Sequence, residues 1–128
     1  MKKEEIKIRK ARPEDVKRIS ILRRQTLEKI NIKDYPKPAL DFLKKENSPR
    51  SILEKLKRRK VFILTNQGKI LGGIEINLET GRVGGLFIDY KHLGQGYGSK
   101  LMQFIEKFAQ AKNIKKINLH PTKTAYLF

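Results

Sequence analysis

Alternation of apolar and charged residues over 5–11 (EIKIRKA) predicts a β-strand at the start of the chain. Apolar residues then recur every three or four positions from residue 16 to about residue 30, which predicts an amphipathic helix. The Pro-Glu-Asp segment at 13–15 suits the first turn of that helix, since proline tolerates this position and acidic side chains complement the positive end of the helix dipole.

Prolines at 36 and 38 predict a loop, followed by a short helical piece around residues 40–43. A further helix is predicted to start at Ser48-Pro49 or at Ser51, where SILE fits a capping box, and to end near Arg59.

Three runs rich in β-branched and aromatic residues follow, at 61–65, 69–78 and 82–90. The short separators NQG and ETG contain glycine and are typical of tight turns, so we expect an antiparallel meander.

The last part of the chain returns to a helical pattern. Leu101, Ile105 and Phe108 form an apolar stripe, interpreted as core, of a helix that starts at about Gly96 and ends near residue 112. A strand at 115–120 and a helix from Pro121 are predicted next. The element order is then β-α-α-β-β-β-α-β-α, and we expect one α/β domain over residues 1–128.

Composition excludes several classes of protein. The 128 residues contain no cysteine and two histidines without metal-ligand spacing, so we expect no thiol chemistry and no metal. We find no secretory signal and no apolar segment of membrane-spanning length, so a cytoplasmic protein without membrane contact is expected.

A net charge of +17 predicts a positive field that attracts polyanions. Nucleic acid is therefore a possible partner through the basic surface. However, the basic residues are spread along the chain, and a merely hydrated surface explains them equally well.

The segment LGQGYGSKLM (93–102) places three glycines at alternate positions before a helix. Unpaired N–H groups at a helix start bind phosphate, and glycines let a phosphate approach the backbone. The order Gly98-Ser99-Lys100 does not fit a P-loop, and the glycine spacing does not fit a dinucleotide fingerprint. A glycine-rich turn without a ligand remains the alternative.

In addition to the glycine spacing, the order of the surrounding segments resembles that of the GNAT-type N-acetyltransferase superfamily. Leu86-Phe87-Ile88 matches the family's hydrophobic strand, and the segment 94–101 (GQGYGSKL) closely matches its cofactor loop and helix start. IRKARPEDV (8–16) and PTKTAYLF (121–128) are similar to other family segments, more loosely.

The resemblance implies a GNAT fold, an α/β (α+β) arrangement in which helices flank a central, mostly antiparallel mixed sheet. It also implies acetyl-CoA as cosubstrate, with no metal, and direct attack of a primary amine on the thioester. The acceptor would be a small molecule or a protein, and a homodimer is possible. Backbone groups of Phe87 and Ile88 would contact pantetheine and the acetyl carbonyl. The pyrophosphate would lie on the N–H groups of Leu93, Gly94, Gln95, Gly96, Tyr97, Gly98 and Ser99.

Three features depart from the family pattern. Leu93 stands where an arginine or glutamine is usual. Gly84 and Gly85 stand where many members have a glutamate base; Glu75, with Asn77 on the same strand face, is the nearest substitute, although a solvated strand carboxylate is the favoured interpretation. We also expect the C-terminal hairpin to be missing: the tyrosine that usually protonates the thiolate would follow Phe128, and Tyr126 is out of register.

Other polar residues have ordinary interpretations. His92 is expected in the loop beside the phosphate site and His120 at a strand end. Asp34 and Tyr35 are possible substrate contacts but are more simply loop residues. Two alternatives to an active acetyltransferase therefore stay open: a CoA-binding but inactive truncated homologue, and a basic nucleic-acid-binding module.

Overall fold

The computed structural model describes residues 5–29 and 36–119. The predictions for Asp34, Tyr35, His120, Tyr126 and the helix at Pro121 lie outside the described residues.

One five-stranded sheet forms the centre of the fold, with its strands in sequential order. The first four strands are antiparallel to their neighbours and the fifth is parallel to the fourth, which confirms the mostly antiparallel mixed sheet. The strands are β1 (Ile6–Lys10), β2 (Lys60–Asn66), β3 (Lys69–Asn77), β4 (Arg82–Ile88) and β5 (Asn118–Leu119). β5 is shorter in the described residues than the predicted 115–120.

Four α-helices accompany the sheet: α1 (Val16–Lys29), α2 (Lys37–Glu46), α3 (Pro49–Arg58) and α4 (Tyr97–Ala111). The predicted short helical piece is in fact the ten-residue α2, so three helices separate β1 from β2 instead of two. Pro36 is the extended N-cap and Pro38 lies in the first turn, where a missing N–H costs no helical hydrogen bond. The prolines therefore start this helix.

Of the two predicted starts for α3, Ser48-Pro49 is correct. The Ser48 hydroxyl accepts a hydrogen bond from the Ser51 N–H at 3.3 Å, and Pro49 occupies the first turn. Ser51 therefore does not act as the cap.

Apolar side chains pack on both faces of the sheet. One face packs against α4, including the fully buried Leu101 and Ile105 of the predicted stripe, with Phe108 partly buried beside them. The other face packs against α1 and α3 through Val16, Ile19, Leu22, Ile52, Val61, Ile63 and Phe87. The helices thus form a layer on each side; α1 contacts β3 and β4, and α3 contacts β2.

Asp15 has a role that the sequence pattern does not reveal. Its buried carboxylate accepts hydrogen bonds from Arg9 Nη1 at 2.8 Å, Arg9 Nη2 at 3.0 Å and the Arg12 N–H at 2.8 Å. This arrangement ties β1 to a short 3₁₀ helix (Pro13–Asp15) before α1. The hydrogen bonds from Arg9 and Arg12 lower the pKa of Asp15 from its usual 3.8, although burial opposes them.

We expect Asp15→Asn to lower the free energy of unfolding at pH 7 by about 1.5–3 kcal/mol, since hydrogen bonds to a charged group are lost. Because the folded-state pKa is depressed, this stabilisation is fully present above pH 3.8 and is lost as the pH falls through the folded-state value. Urea denaturation of both proteins between pH 7 and pH 2.5 measures the difference. The exposed neighbour gives the control Glu14→Gln; equal losses in the two variants would contradict a specific role for Asp15.

Candidate functional site

A β-bulge interrupts the pairing of β3 with β4. Gly73 is opposite Phe87 and Glu75 is opposite Gly84, so two residues of β4 stand against one residue of β3. Gly85, inside the bulge, has a left-handed φ of 61°. A glycine in this conformation is typical of one common bulge type, and bulges redirect the backbone next to functional sites. Of the Gly84-Gly85 pair, only Gly85 is thus required by the backbone.

Beyond the bulge, the outer edge of β4 is open in the described residues. In the described residues, β5 pairs with β4 at Arg82 and Val83, which lie at the start of β4 before the bulge. The Asp89 N–H donates to the Leu71 carbonyl at 2.7 Å, so the backbone groups of Asp89 point toward β3. In an antiparallel strand, successive residues point their N–H and C=O groups to opposite sides, so the backbone groups of Ile88 point to the open edge.

By the same alternation, the N–H and C=O of Phe87 point toward β3. The Phe87 ring is buried beneath α1, and the Arg23 guanidinium carbon lies 5.8 Å from the ring centroid. The two predicted backbone contacts therefore differ. Ile88 presents its N–H at the open edge, together with a carbonyl that accepts a hydrogen bond from the Thr26 hydroxyl at 3.4 Å, whereas Phe87 offers a packed ring.

The glycine stretch forms a turn that leads directly into α4. Gly94 and Gly96 have left-handed φ values of 78° and 80°, and a Cβ at either position would stand in open space. Gly96 is the N-cap of α4, and no side chain in the described part of the chain makes a capping hydrogen bond there. The first intrahelical hydrogen bond is donated by the Lys100 N–H, so the preceding N–H groups at 97–99 are not used within the helix. The turn thus presents uncapped donors beside open space.

Asp89 fixes the start of this turn. Its buried side chain accepts a hydrogen bond from the Lys91 N–H at 3.1 Å, and its carbonyl accepts from the His92 N–H at 2.8 Å. His92 lies in the 3₁₀ helix Tyr90–His92, and its ring centroid is 6.4 Å from that of Tyr97. His92 thus lies beside the glycine turn as predicted, but in a short 3₁₀ helix and not in a loop.

The predicted cofactor residues fall into two groups. One, formed by Phe87 and Ile88, is in β4, and the other is the continuous turn 93–99 leading into α4. Of the turn residues, Gly94, Gln95, Gly96 and Ser99 are exposed, Leu93 is half-buried, and Tyr97 and Gly98 are buried. Tyr97 and Gly98 can therefore contribute only main-chain donors, as predicted for them.

Glu75 is not a solvated strand carboxylate, and the favoured interpretation of it is wrong. Its residue exposure is 4%, and its Oε1 accepts a hydrogen bond from Arg59 Nη1 at 3.0 Å. Its Oε2 has no hydrogen-bond partner in the described part of the chain. A buried carboxylate oxygen without a partner is costly, and such atoms are rare in folded proteins.

Asn77 does not join Glu75 in a site. Its Oδ1 accepts from the Glu79 N–H at 2.9 Å and the Thr80 N–H at 3.4 Å, which stabilises the β3–β4 turn. Two cations from the helical layer, Arg23 and Lys55, interact electrostatically with Glu75 instead. Burial lowers the pKa of both Arg23 and Lys55; repulsion from Arg59 adds to the shifts, and attraction by Glu75 opposes them.

The close contact between Gly85 and Glu75 gives a testable prediction. A Cβ on Gly85 would lie 2.6 Å from Glu75 Oε1, at a backbone φ of 61°. We expect Gly85→Ala to lower the free energy of unfolding by about 1–2 kcal/mol from backbone strain alone, and further because the carboxylate must move. Gly84→Ala is the control, since its Cβ would meet nothing within 4 Å. Chemical denaturation of both variants checks this, and an equal effect at the two positions would contradict it.

A family comparison now decides what kind of protein this is. The model of the acetyltransferase (GNAT) family matches residues 24–126. The chain belongs to the GNAT acetyltransferase family. The GNAT fold is also found in solved structures of low sequence identity. PaiA N-acetyltransferase from Thermoplasma acidophilum, in complex with coenzyme A, is 17% identical with a TM-score of 0.82, over 93% of this chain and 80% of that one.

Two other GNAT structures are similar. A GCN5-related N-acetyltransferase from Rhodopseudomonas palustris is 18% identical with a TM-score of 0.85, over 98% of this chain and 79% of that one. A predicted acetyltransferase with acetyl-CoA from Clostridium acetobutylicum is 21% identical with a TM-score of 0.70, over 94% of this chain and 84% of that one. No curated protein matches the sequence significantly.

None of the described helices combines the length and apolar character needed to cross a bilayer. In the part of the chain that the structure describes, no group of three or more His, Cys, Asp or Glu side chains is placed to hold a metal ion.

Sequence reasoning missed Arg23, Lys55 and Arg59. Arg23 is in α1, Lys55 is in α3 and Arg59 directly follows α3, so that Arg23 is 32 positions from Lys55 and 36 from Arg59. No local motif therefore joins the three residues to β3. A weak signal was present, since Arg23 follows Leu22 on the inner side of α1 and Glu75 stands within an otherwise apolar strand. A charge in such a position requires an opposite charge nearby.

Proposed function

We propose that this GNAT protein binds acetyl-CoA and transfers its acetyl group to a primary amine. The observation that supports this most directly is the turn at 94–96, where two left-handed glycines face open space at the uncapped start of α4. A pyrophosphate fits such a site because N–H donors and the helix dipole both favour an anion. The pantetheine would lie along the open edge of β4, with the backbone of Ile88 as its partner.

When bound, acetyl-CoA supplies an activated acyl group as a thioester. Attack by the amine nitrogen on the carbonyl carbon forms the amide bond and breaks the carbon–sulfur bond. The electron pair goes to the CoA sulfur, and the proton that the nitrogen loses as the amide forms passes through solvent to that sulfur. The amine must be deprotonated before it attacks, and Glu75 Oε2 is the acceptor that we assign to this proton. The carboxyl group then returns the proton to solvent.

Burial of Glu75 supports this role. The low-dielectric surroundings strengthen its interaction with an incoming ammonium group, and Arg59 fixes the orientation of the carboxylate through Oε1. The position of Glu75 against Gly85 places the carboxylate over the bulge, just before the strand segment that would hold the thioester.

Isothermal titration with acetyl-CoA at about 0.15 M salt tests the proposal, because the Debye length there is about 8 Å and general attraction by a basic protein is screened. ATP is the control anion. We expect saturable binding of acetyl-CoA that is much tighter than that of ATP. Equal and salt-sensitive binding of both would contradict the proposal and favour a basic nucleic-acid-binding module, for which the net charge of +17 is the supporting observation. Binding without thiol release for any amine would favour the inactive homologue.

A further inference from the structure

The group formed by Arg23, Lys55, Arg59 and Glu75, here called the cationic cluster, lies directly above the bulge of β4. Arg59 is 3.0 Å from Glu75, Glu75 touches Gly85, and Arg23 lies over the Phe87 ring. The cluster therefore covers β4 from the bulge to the residue before Ile88, on the face packed by α1 and α3.

Positive charge exceeds negative charge in the cationic cluster. Three cationic side chains interact with the Glu75 carboxylate, and the Glu46 carboxylate is the one further anion that acts on Lys55 among the described residues. Among the described ion pairs, only that of Arg59 with Glu75 lies within the group. Lys55 Nζ donates to the Glu46 carbonyl at 3.3 Å, which is a neutral partner. Arg23 rests on an aromatic ring.

The charges of Arg23 and Lys55 are also partly removed from water. Both residues are half-buried, and burial is the largest cause of the lowered pKa of each. Two half-buried cations that repel each other are unfavourable without an anion. A ligand carboxylate would relieve this, since hydrogen bonds between charged groups are about twice as strong as neutral ones.

A second observation indicates where the ligand's amine would lie. Glu75 Oε2 is buried and has no hydrogen-bond partner in the described residues, and the side chain as a whole is 5% exposed. An ammonium group would satisfy this oxygen. The cationic cluster thus combines cations that an anionic group would pair with and a carboxylate oxygen that a cationic group would satisfy.

We infer that the cationic cluster is an acceptor subsite for an amine that bears a carboxylate a few bonds away, as in an α-amino acid. Arg23 and Lys55 bind the carboxylate, and Glu75 Oε2 receives the amine and its proton. This assignment rests on the proposed acetyl transfer and adds the acceptor class to it. The same excess of positive charge disfavours polyamines and other polycationic acceptors.

The test uses the common α-amino acids, each matched by its α-carboxamide, with spermidine as the cationic probe. Binding is measured by NMR titration of the whole protein at about 0.15 M salt, and turnover by thiol release from acetyl-CoA. We expect at least one acid to bind about tenfold or more tightly than its amide, and the same acid to be the better substrate. Carboxamides or spermidine binding as well as the acids would overturn the inference, and so would no binding by any acid up to 10 mM, roughly the weak limit for a specific small ligand.

Matched variants separate the subsite from the general surface charge. Lys55→Met and Arg23→Met should abolish the preference for the acid and leave the Kd for acetyl-CoA unchanged. Lys57→Met and Arg24→Met, which remove exposed charges on the same two helices, should preserve it. Should the control variants reduce the preference equally, the long-range field and not the cationic cluster would be its cause.

Failure of this inference and failure of the proposed function give different results. Acetyl-CoA binding together with a preference for amides retains acetyl transfer and removes the carboxylate subsite. Binding of an amino acid that depends on Lys55 and Arg23, without binding of acetyl-CoA, retains the carboxylate subsite and removes acetyl transfer.

Discussion

Replacing Glu75 by Gln is expected to lower kcat for acetyl transfer at pH 7 by about 10²–10⁴-fold, the usual contribution of a positioned general base. The substitution keeps the shape of the side chain and removes its ability to take the amine proton. Because Glu75 lies over the bulge and not at the glycine turn, the Kd for acetyl-CoA should stay unchanged. Steady-state thiol release and calorimetry on the same variant measure the two quantities separately.

The pH dependence distinguishes a base from a purely structural charge. In Glu75→Gln the remaining activity should rise with pH, since a larger fraction of the acceptor is already the free amine; an α-amino group has a pKa of about 7.7–8.0. The defect should therefore shrink above pH 8. Glu79→Gln, which changes an exposed carboxylate near the end of β3, is the control and should behave as the unaltered protein. A Glu75→Gln protein with normal kcat, or with a defect of the same size at every pH, would leave Glu75 only as the partner of Arg59.

Most of the fold follows from local patterns in the sequence. The strands β2 to β4, their glycine turns and the start of α4 at Gly96 are predicted by alternation, turn chemistry and helical periodicity. The sequence pattern predicts too short an α2 because proline is expected to break a helix, whereas Pro36 and Pro38 occupy the cap and first turn. The helical pattern around residues 40–43 is correct, and the length of the helix depends on whether the prolines lie at its start or within it.

The candidate site also has one part that local sequence predicts and one part that it does not. The glycine turn is contiguous, so the sequence displays it directly. The environment of Glu75 depends on Arg23 and Lys55, which approach it only when α1 and α3 pack on the sheet. Strand alternation alone placed Glu75 on a face and could not show whether helices cover that face. A solvated carboxylate and a buried one have the same local sequence.

Gly96→Ala is expected to lower the affinity for acetyl-CoA by about tenfold or more, which corresponds to at least 1.4 kcal/mol of binding free energy. The added methyl group would enter the open space where the pyrophosphate is proposed to lie, and it would meet no atom of the described residues within 4 Å. The folded protein should bear only the strain of an alanine at φ 80°, about 1–2 kcal/mol of unfolding free energy. Calorimetry measures the affinity for acetyl-CoA, and chemical denaturation of the same variant measures its free energy of unfolding.

Gly68 provides a closely matched control for this substitution. Its φ is 81°, and a Cβ there would also meet nothing within 4 Å, but it lies in the turn between β2 and β3. Gly68→Ala should therefore destabilise the protein to the same extent as Gly96→Ala while leaving the Kd for acetyl-CoA unchanged. If both variants weaken binding equally, lost stability is the cause and the turn at 94–96 is not a phosphate site. A selective loss in Gly96→Ala instead locates the pyrophosphate on the open face of that glycine, because strain is equal in the two variants and only the position differs.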